Sequence, residues 1–368
     1  MILKVVNAGA FSGVNIGDCL IGDALDRLVI KSMDRVDLTG RPTINRDKNQ
    51  TFRHATGARK VLRSYIAKPL RAFAVQLLHH RLAVEYDQVL IGGGNILFDT
   101  GCNNLQLTHS IATAFGRKQK TLKIVSAGVG PFQSDPSRML SEIAEHANFI
   151  SVRDQHSQEI LSHFGINSKL LIDPVWFLGT IFQQERTLGC IEDQTNFGVN
   201  LMQINVPEPS APTTISKSIH YIQQKTGLSP KLFISAYNND PIIVNAIRRT
   251  YAELYGAKIQ VNKLPRLTDG EASFNEIRSC KFVVSHRMHV AITASAFGIP
   301  TVVFPWQQKI PGVYGSVFGA CADMFMSHHV FDPCEILELV ENQIKHKKEL
   351  AEKLSSMLRK NRHVYNTL

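Results

Sequence analysis

The feature that most limits what this 368-residue chain can fold into is a pattern repeated along it: a short apolar run, a glycine-bearing or polar turn, then a helical segment. Residues 1–8 lead into Gly9 and Gly13-Val14-Asn15-Ile16-Gly17-Asp18, with a helix predicted over about 19–31. Residues 86–91 lead into Gly92-Gly93-Gly94-Asn95, residues 122–127 into Gly128-Val129-Gly130-Pro131, and residues 149–152 into Arg153-Asp154. Such alternation predicts a parallel sheet flanked by helices. Ligands of open α/β sheets bind outside the carboxyl ends of the strands, so all four turns are expected on one rim.

The pattern breaks in a polar stretch, residues 183–196, and then restarts with strands expected at 197–202, 232–236, 258–261, 282–285 and 301–304. A chain of this length exceeds the roughly 250 to 300 residues at which single cores stop growing, so two α/β domains are expected. The division read from the sequence is an N-terminal domain over 1–185, a C-terminal domain over 186–333, and a closing segment over 334–368. In that last segment Ile336, Leu339, Val340, Ile344, Leu350, Leu354 and Leu358 recur at helical spacing, predicting one amphipathic helix packed across the domains. Pro207, Pro209 and Pro212 mark an ordered loop or flap.

Composition narrows the class further. No run of about 18 uninterrupted apolar residues is present, and the first residues lack the charged, apolar and small-residue zones of a secretory signal, so a cytoplasmic location is expected. Six cysteines are scattered without CxxC or CxxxC spacing, which argues against a disulfide framework or a zinc site. The net charge of +10 is uneven: residues 46–81 hold nine Lys or Arg and a single acid, Asp47. That segment reads either as a solvated basic face or as a contact for an anionic membrane surface or a phosphate-bearing lipid carrier. Nucleic acid is not expected as a partner, because no helix-turn-helix, zinc-finger or aromatic-interleaved basic motif accompanies the charge.

The most chemically specific stretch is Ser285-His286-Arg287-Met288-His289. It joins an apolar run (281–284) to a small-residue helical pattern ending in Gly298 and Pro300. Strand, turn and helix are therefore expected there, with Arg287 and His289 beside a helix N-terminus whose free N–H groups already favour phosphate or carboxylate. Arg153 follows a strand directly and either faces the same rim or forms a surface salt bridge with Asp154 or Glu159. Asp18 either caps its helix or presents a carboxylate to a substrate hydroxyl. His286 and His289 share an i, i+3 spacing, yet no carboxylate or cysteine stands at ligand spacing beside them, so no metal site is expected. Asp173-Pro174 reads as a turn at a strand end.

Together these blocks resemble the polysaccharide pyruvyltransferase family across most of the chain. Asn15-Ile16-Gly17-Asp18, Gly92-Gly93-Gly94-Asn95-Ile96-Leu97, Ser151-Val152-Arg153-Asp154 with Ser157 and Gly165, Asp173-Pro174, and Ser285-x-Arg287-x-His289 come in the family's order. The resemblance implies two Rossmann-like domains in a GT-B-like arrangement with the site in the interdomain cleft. It also implies transfer of pyruvate from phosphoenolpyruvate to two sugar hydroxyls, forming a cyclic ketal on an exopolysaccharide or capsular glycan. In that scheme Arg153 and Arg287 hold the donor with help from Ser285 and the Met288 backbone, and His289 is the general acid/base. Asp18 assists catalysis, while Asn15, Gly17, Gly93, Gly94 and Asn95 shape the loop or acceptor side. The acceptor is a glycan or lipid-linked oligosaccharide, no cofactor is required, and a need for divalent metal is left open.

Two other classes stay open at this level. A GT-B glycosyltransferase using a nucleotide sugar would share the fold and the rim glycines, although residues 186–333 lack paired glutamates separated by seven residues. A catalytically silent scaffold of a glycan-assembly complex is the non-enzyme reading, and the intact Arg153, Arg287 and His289 weigh against it.

Overall fold

In the computed structural model the described residues are 3–9, 16–29, 33–38, 68–184, 194–202, 210–236, 239–263, 270–329 and 331–368. The Gly13–Asn15 turn, most of the basic segment (46–67), the centre of the polar break (185–193) and Pro207 and Pro209 lie outside them. The chain forms two compact units, one of Met1–Ser12, Val29–Val152 and Ser157–Leu170, the other of Gly13–Leu28, Arg153–His156 and Leu171–Leu368.

The first unit is built on a parallel sheet of seven strands. They are β1 (Val5–Gly9), β2 (Met33–Asp37), β3 (Gln88–Gly92), β4 (Asn95–Leu97), β5 (Thr121–Val129), β6 (Phe149–Val152) and β7 (Lys169–Leu170). Their order is β2-β1-β3-β5-β6-β7, with β4 pairing β5. Strands β1 and β3 are buried at every position, as continuous apolar runs covered on both faces must be. The core joins Val6, Val89, Ile91, Leu122 and Ile124 from the sheet to Leu105, Ile111 and Phe115 of a flanking helix (Asn104–Arg117). Strand order reverses between β1 and β3, and the glycine turn after β3 lies at that reversal. Gly93 and Gly94 have φ of 67° and 72°, left-handed values that favour glycine. The Gly93 N–H donates to Val125 O and Gly94 O accepts from the Gly128 N–H, so the turn is tied to β5.

The second unit carries a parallel five-stranded sheet in the order β10-β9-β8-β11-β12. Its strands are β8 (Asn196–Asn200), β9 (Ser229–Ile234), β10 (Gln260–Lys263), β11 (Cys280–Ser285) and β12 (Thr301–Val303). Phe197 and Phe282 stack at 5.2 Å between β8 and β11, and Ile215, Ile219, Ile243, Ile247 and Tyr251 from two covering helices complete the core. Here the order reverses between β8 and β11, so Asn200 and Ser285 end the two strands at the switch point where α/β sheets bind ligands.

Helix α1 (Ile16–Leu28) belongs to this second unit, although it follows β1 in sequence. A division by sequence position at 185 and 186 therefore differs from the division by packing, because α1 buries its apolar face against residues far along the chain. Helix α2 (Met288–Ala296), which follows β11, is buried along nearly its whole length. Gly179 makes part of that possible: an added Cβ would lie 2.7 Å from the Ala296 carbonyl carbon.

The closing segment departs from the single helix expected of it. It forms α3 (Pro333–Lys345) and α4 (Lys347–Asn366), broken at His346. There the His346 backbone leaves helical geometry (φ −100°, ψ 16°), while its N–H still donates to Asn342 O at 3.0 Å and its ring Nδ1 lies 2.9 Å from the same oxygen. Asp332 caps α3 by accepting from the Cys334 N–H, with Pro333 at the first helical position. Helix α4 clips the segment before Asp173: Tyr365 Oη donates to Ile172 O at 2.6 Å, and Asn361 Oδ1 accepts from the Ile172 N–H. Both helices pack against elements of the second unit.

Replacing Gly179 by Ala puts a methyl against backbone that has no rotamer in which to yield. The expected outcome is a loss of about 1–3 kcal/mol in a urea melt, the usual cost of overpacking a core. Unchanged stability would show that α2 shifts freely.

Candidate functional site

The site grows from the turn between β11 and α2. The Ser285 hydroxyl accepts from the Arg287 N–H at 3.0 Å and lies 3.2 Å from Asn200 Oδ1, closing the turn at the switch point. Ser285 thus fixes the backbone from which Arg287 and His289 project. Arg287 stands at the N-cap of α2, and Met288 is buried in its first turn, where backbone N–H groups lack intrahelical acceptors.

Arg287 Nη2 donates to Asp240 Oδ1 at 2.6 Å. Asp240 is itself locked, because its other oxygen accepts from the Ser235 and Ala236 N–H groups and the Ser235 hydroxyl at 2.8–2.9 Å. One edge of the guanidinium is therefore held by protein, while Arg287 Nε is buried with no hydrogen-bond acceptor among the described residues. A buried donor left in this state is costly unless a ligand supplies the acceptor.

Arg153, Asp154 and Asp173 form a second charged layer. Arg153 is only 1% exposed, so a surface salt bridge is not its role. Its Nη1 donates to Asp173 Oδ2 at 2.9 Å, and its Nε lies 3.9 Å from Asp154 Oδ2. His289 Nε2 stands 3.4 Å from the same Asp173 oxygen and 3.4 Å from Arg153 Nη1. Burial alone would push the Asp173 carboxyl up, but His289, Arg153 and the Val175 N–H override it and hold it at about 2. Asp173 is thus a permanent anion that fixes both the Arg153 guanidinium and the His289 ring. It also caps a short 3-10 turn, Pro174–Phe177, where the sequence suggested only a strand end.

Asp18 lies in the first turn of α1, two residues past its start, and is not the cap of that helix. It feels the charges of His289, Arg153, Lys309 and Arg287, each of which favours its ionised form. Desolvation nevertheless wins and raises the Asp18 carboxyl to about 6. Lys309, at the start of the helix over Lys309–Phe318, answers it: burial first and Arg153 second lower its ammonium to about 7, against Asp154 and Asp18. A carboxyl near 6 beside an ammonium near 7 places two proton-exchanging groups around neutral pH.

Gly17 explains the glycine preceding Asp18. An added Cβ would fall within contact of His289 Nδ1 and lie 2.9 Å from its Cγ, so only glycine lets α1 approach the imidazole. His286 does not share the site's chemistry. It is buried, burial lowers it to about 3, and its Nδ1 accepts from the Met202 N–H. Among the described residues no group of three or more His, Cys, Asp or Glu is placed to hold a metal ion.

The structure therefore gathers Asp18, Gly17, Arg153, Ser285, Arg287, Met288 and His289 in one compact unit. Gly93, Gly94 and Asn95 belong to the other unit, and Asn15 lies outside the described residues. Sequence reasoning missed the roles of Asp173, Asp240 and Lys309. Asp173 carried a signal in its Asp-Pro pair, whereas Asp240 and Lys309 open helices with no local motif to single them out.

These observations meet an independent finding. The chain matches the family model described as polysaccharide pyruvyl transferase over residues 15–308. It belongs to the polysaccharide pyruvyl transferase family. Family membership makes it a transferase of polysaccharide biosynthesis, and the matched span holds every charged residue of the cluster except Lys309, which lies one residue beyond it. No curated protein matches the chain in a sequence search. Among solved structures it is similar to the UDP-GlcNAc 2-epimerase of Methanocaldococcus jannaschii, with a TM-score of 0.58, 11% identity and 92% of each chain covered. It is also similar to S. aureus MnaA solved with UDP (TM-score 0.55, 13% identity, covering 96% of this chain and 90% of that one). A third is Anabaena HepE solved with UDP-glucose (TM-score 0.54, 13% identity, 98% and 95% covered). At these identities the likeness is one of fold: α/β with parallel sheets, as in GT-B enzymes.

Two outcomes are expected of this pyruvyl transferase-family site. Gly17→Ala should displace His289 and cut turnover at least tenfold while far-UV circular dichroism stays unchanged; full activity would show that the imidazole position is not critical. The folded pKa of Asp18 lies above its ordinary value, so its contribution to stability is complete below pH 4 and is lost as pH rises through about 6. Asp18→Asn should then raise the melting temperature at pH 8 and change it little at pH 4, as thermal scans at the two pH values will read.

Proposed function

We propose that this chain transfers pyruvate from phosphoenolpyruvate to two hydroxyls of one sugar in a glycan precursor, forming a cyclic ketal and releasing phosphate. The observation that carries this reading is a pair of anchored arginines, Arg153 on Asp173 at 2.9 Å and Arg287 on Asp240 at 2.6 Å, with His289 3.4 Å from both Arg153 Nη1 and Asp173 Oδ2. Phosphoenolpyruvate presents a carboxylate and a phosphate close together, and guanidinium groups held in fixed orientation by Asp173 and Asp240 suit such a ligand, the Arg287 Nε donor being the one without an acceptor among the described residues.

The chemistry balances with the groups at hand. One sugar hydroxyl attacks the central carbon of the enol as the methylene carbon gains a proton, so the proton lost from the hydroxyl is matched by the one that makes the methyl group. His289 delivers the proton to carbon, and Asp18, once ionised, accepts the hydroxyl proton. The carbon–oxygen bond to phosphate then breaks, the second hydroxyl closes the ring, and its proton leaves with the phosphate. Asp173 plays the orienting part that a carboxylate plays toward a catalytic imidazole. We place the reaction in the cytoplasm on precursors of an exopolysaccharide or capsule, with no cofactor beyond the donor itself.

A nucleotide sugar is the competing donor, favoured by likeness in fold to MnaA and HepE, which were solved with UDP and UDP-glucose. Phosphoenolpyruvate supplied with a panel of galactosides, glucosides, mannosides and N-acetylhexosaminides should yield phosphate and a ketal with at least one of them. His289→Ala should lower that rate about 10²- to 10⁴-fold, the usual worth of a positioned acid/base group. Thermal stabilisation by a nucleotide sugar with no response to phosphoenolpyruvate would assign the site to glycosyl transfer instead.

The pH profile gives a second check. Turnover needs Asp18 ionised and Lys309 protonated, so kcat/KM should rise through about pH 6 and fall above about pH 7. Lys309→Arg keeps its charge at every accessible pH and should move the alkaline limb upward. An alkaline limb that stays in place would remove Lys309 from donor binding.

A further inference from the structure

The loop that follows β12 carries a side chain to which the site has given no part. Strand β12 ends at Val303, paired with Ser285 of β11, so residues 304–308 leave from the same carboxyl edge as the Arg287 turn. Trp306 stands in this loop and is tied at two points. Its backbone N–H donates to Phe304 O at 2.9 Å, and its indole Nε1 donates to His286 O at 2.8 Å. The second bond lands on the carbonyl of the peptide unit whose N–H belongs to Arg287, so the indole lies against the turn that carries the candidate site. Three residues further on is Lys309, whose charge acts on Asp18 and Arg153.

The chain has two tryptophans, and the fold treats them differently. Trp176 is wholly buried and packs edge-on against Tyr314 and Phe318 at 5.3 and 5.5 Å. Trp306 is only partly buried, and no aromatic ring among the described residues pairs with it. Its one polar atom is satisfied by His286 O, so what it offers a ligand is apolar ring surface. A single exposed apolar residue is ordinary on a plain surface. This one is held at the strand ends where α/β sheets bind ligands, and a ring already fixed loses little entropy when a ligand lies on it.

We propose that Trp306 is the platform for the acceptor, stacking on one face of the sugar ring that receives the pyruvate. The inference rests on the pyruvyl transfer reading and deepens it. A cyclic ketal needs two hydroxyls of one ring brought in turn to a single carbon, so the ring must keep one plane relative to the donor. Hydrogen bonds to hydroxyls fix points, whereas a flat aromatic fixes a plane. A pyranose face on which several C–H bonds point the same way is apolar and weakly positive, and it matches the negative face of an indole. Small-molecule sites commonly join such an aromatic wall to a few convergent polar groups, which the Arg287 turn supplies here. Membership in a polysaccharide-transferase family favours a sugar over a nucleobase as the occupant.

Because Trp176 is wholly buried, acrylamide quenching of the intrinsic fluorescence reads Trp306. Methyl glycosides of galactose, glucose, mannose and N-acetylglucosamine are added at millimolar concentrations to the full chain, and at least one of them should protect the emission. Trp306→Leu should raise the KM for that glycoside about tenfold, on the scale of a lost aromatic contact, and leave the KM for phosphoenolpyruvate unchanged. Trp306→Tyr keeps a ring and should recover most of the loss, a split and a rescue that a merely structural side chain would not give. Protection by none of the glycosides, or an acceptor KM unchanged in Trp306→Leu, overturns the proposal. So does protection by UDP alone, which would give the ring to a nucleobase. Ketal formation on a sugar that leaves Trp306 unprotected sinks this inference and spares the pyruvyl transfer reading; protection by a glycoside in a chain that forms no ketal does the reverse.

Discussion

The buried carboxylate of Asp173 is the interaction on which the site depends. Arg153 is almost wholly removed from water, and an uncompensated buried guanidinium would cost several kcal/mol. Asp173 supplies the opposing charge at 2.9 Å and then uses the same oxygen to face His289. Breaking that pair would free both the cation and the imidazole. The molecule fastens Asp173 from the outside: Tyr365 and Asn361, near the end of the chain, bind both backbone groups of Ile172. A helix nearly two hundred residues away thereby sets the geometry of the Asp173–His289 pair.

The same logic repeats around Arg287. Asp240 is saturated by two backbone N–H groups and a hydroxyl before it meets the guanidinium, so it presents a fixed rather than a mobile anion. Each arginine thus meets a rigid carboxylate, and Arg287 keeps an Nε donor with no acceptor among the described residues. Rigid anchoring of this kind would cut the entropy lost when the proposed donor binds. The two groups that are not anchored, Asp18 and Lys309, are those whose protonation burial has moved toward neutrality.

Much of this was legible in the chain itself. The alternation of apolar runs and turns exposed the parallel sheets, because a strand covered on both faces must read as an unbroken apolar stretch, as Val89-Leu90-Ile91 and Phe282-Val283-Val284 do. The turn at Ser285 to His289 could be placed because β-branched residues give way at once to small helix formers. Strands β2 and β4 escaped notice, since β2 (Met33–Asp37) mixes charged with apolar residues instead of reading as an apolar run and β4 holds only three residues. The break at His346 was equally hidden: the apolar spacing runs on through it, and only the backbone angles there, φ −100° and ψ 16°, mark where the helix ends. Asp240 and Lys309 lacked any local sign because their importance comes from burial beside charges 47 and 156 residues away, at Arg287 and Arg153.

Gly17 shows how a motif residue acquires its meaning only in three dimensions. Read along the chain, Asn15-Ile16-Gly17-Asp18 is a loop sequence, and its glycine suggests a flexible turn or an approach to a ligand. In the fold Gly17 lies in a helix, where glycine costs about 1 kcal/mol relative to alanine. That cost is offset by a contact no other residue permits, the close seating of α1 against the His289 ring. Because α1 also carries Asp18, one missing methyl group sets the separation of the two proposed proton carriers. Under the proposed mechanism a substitution at Gly17 would therefore act on proton transfer without touching a titratable group.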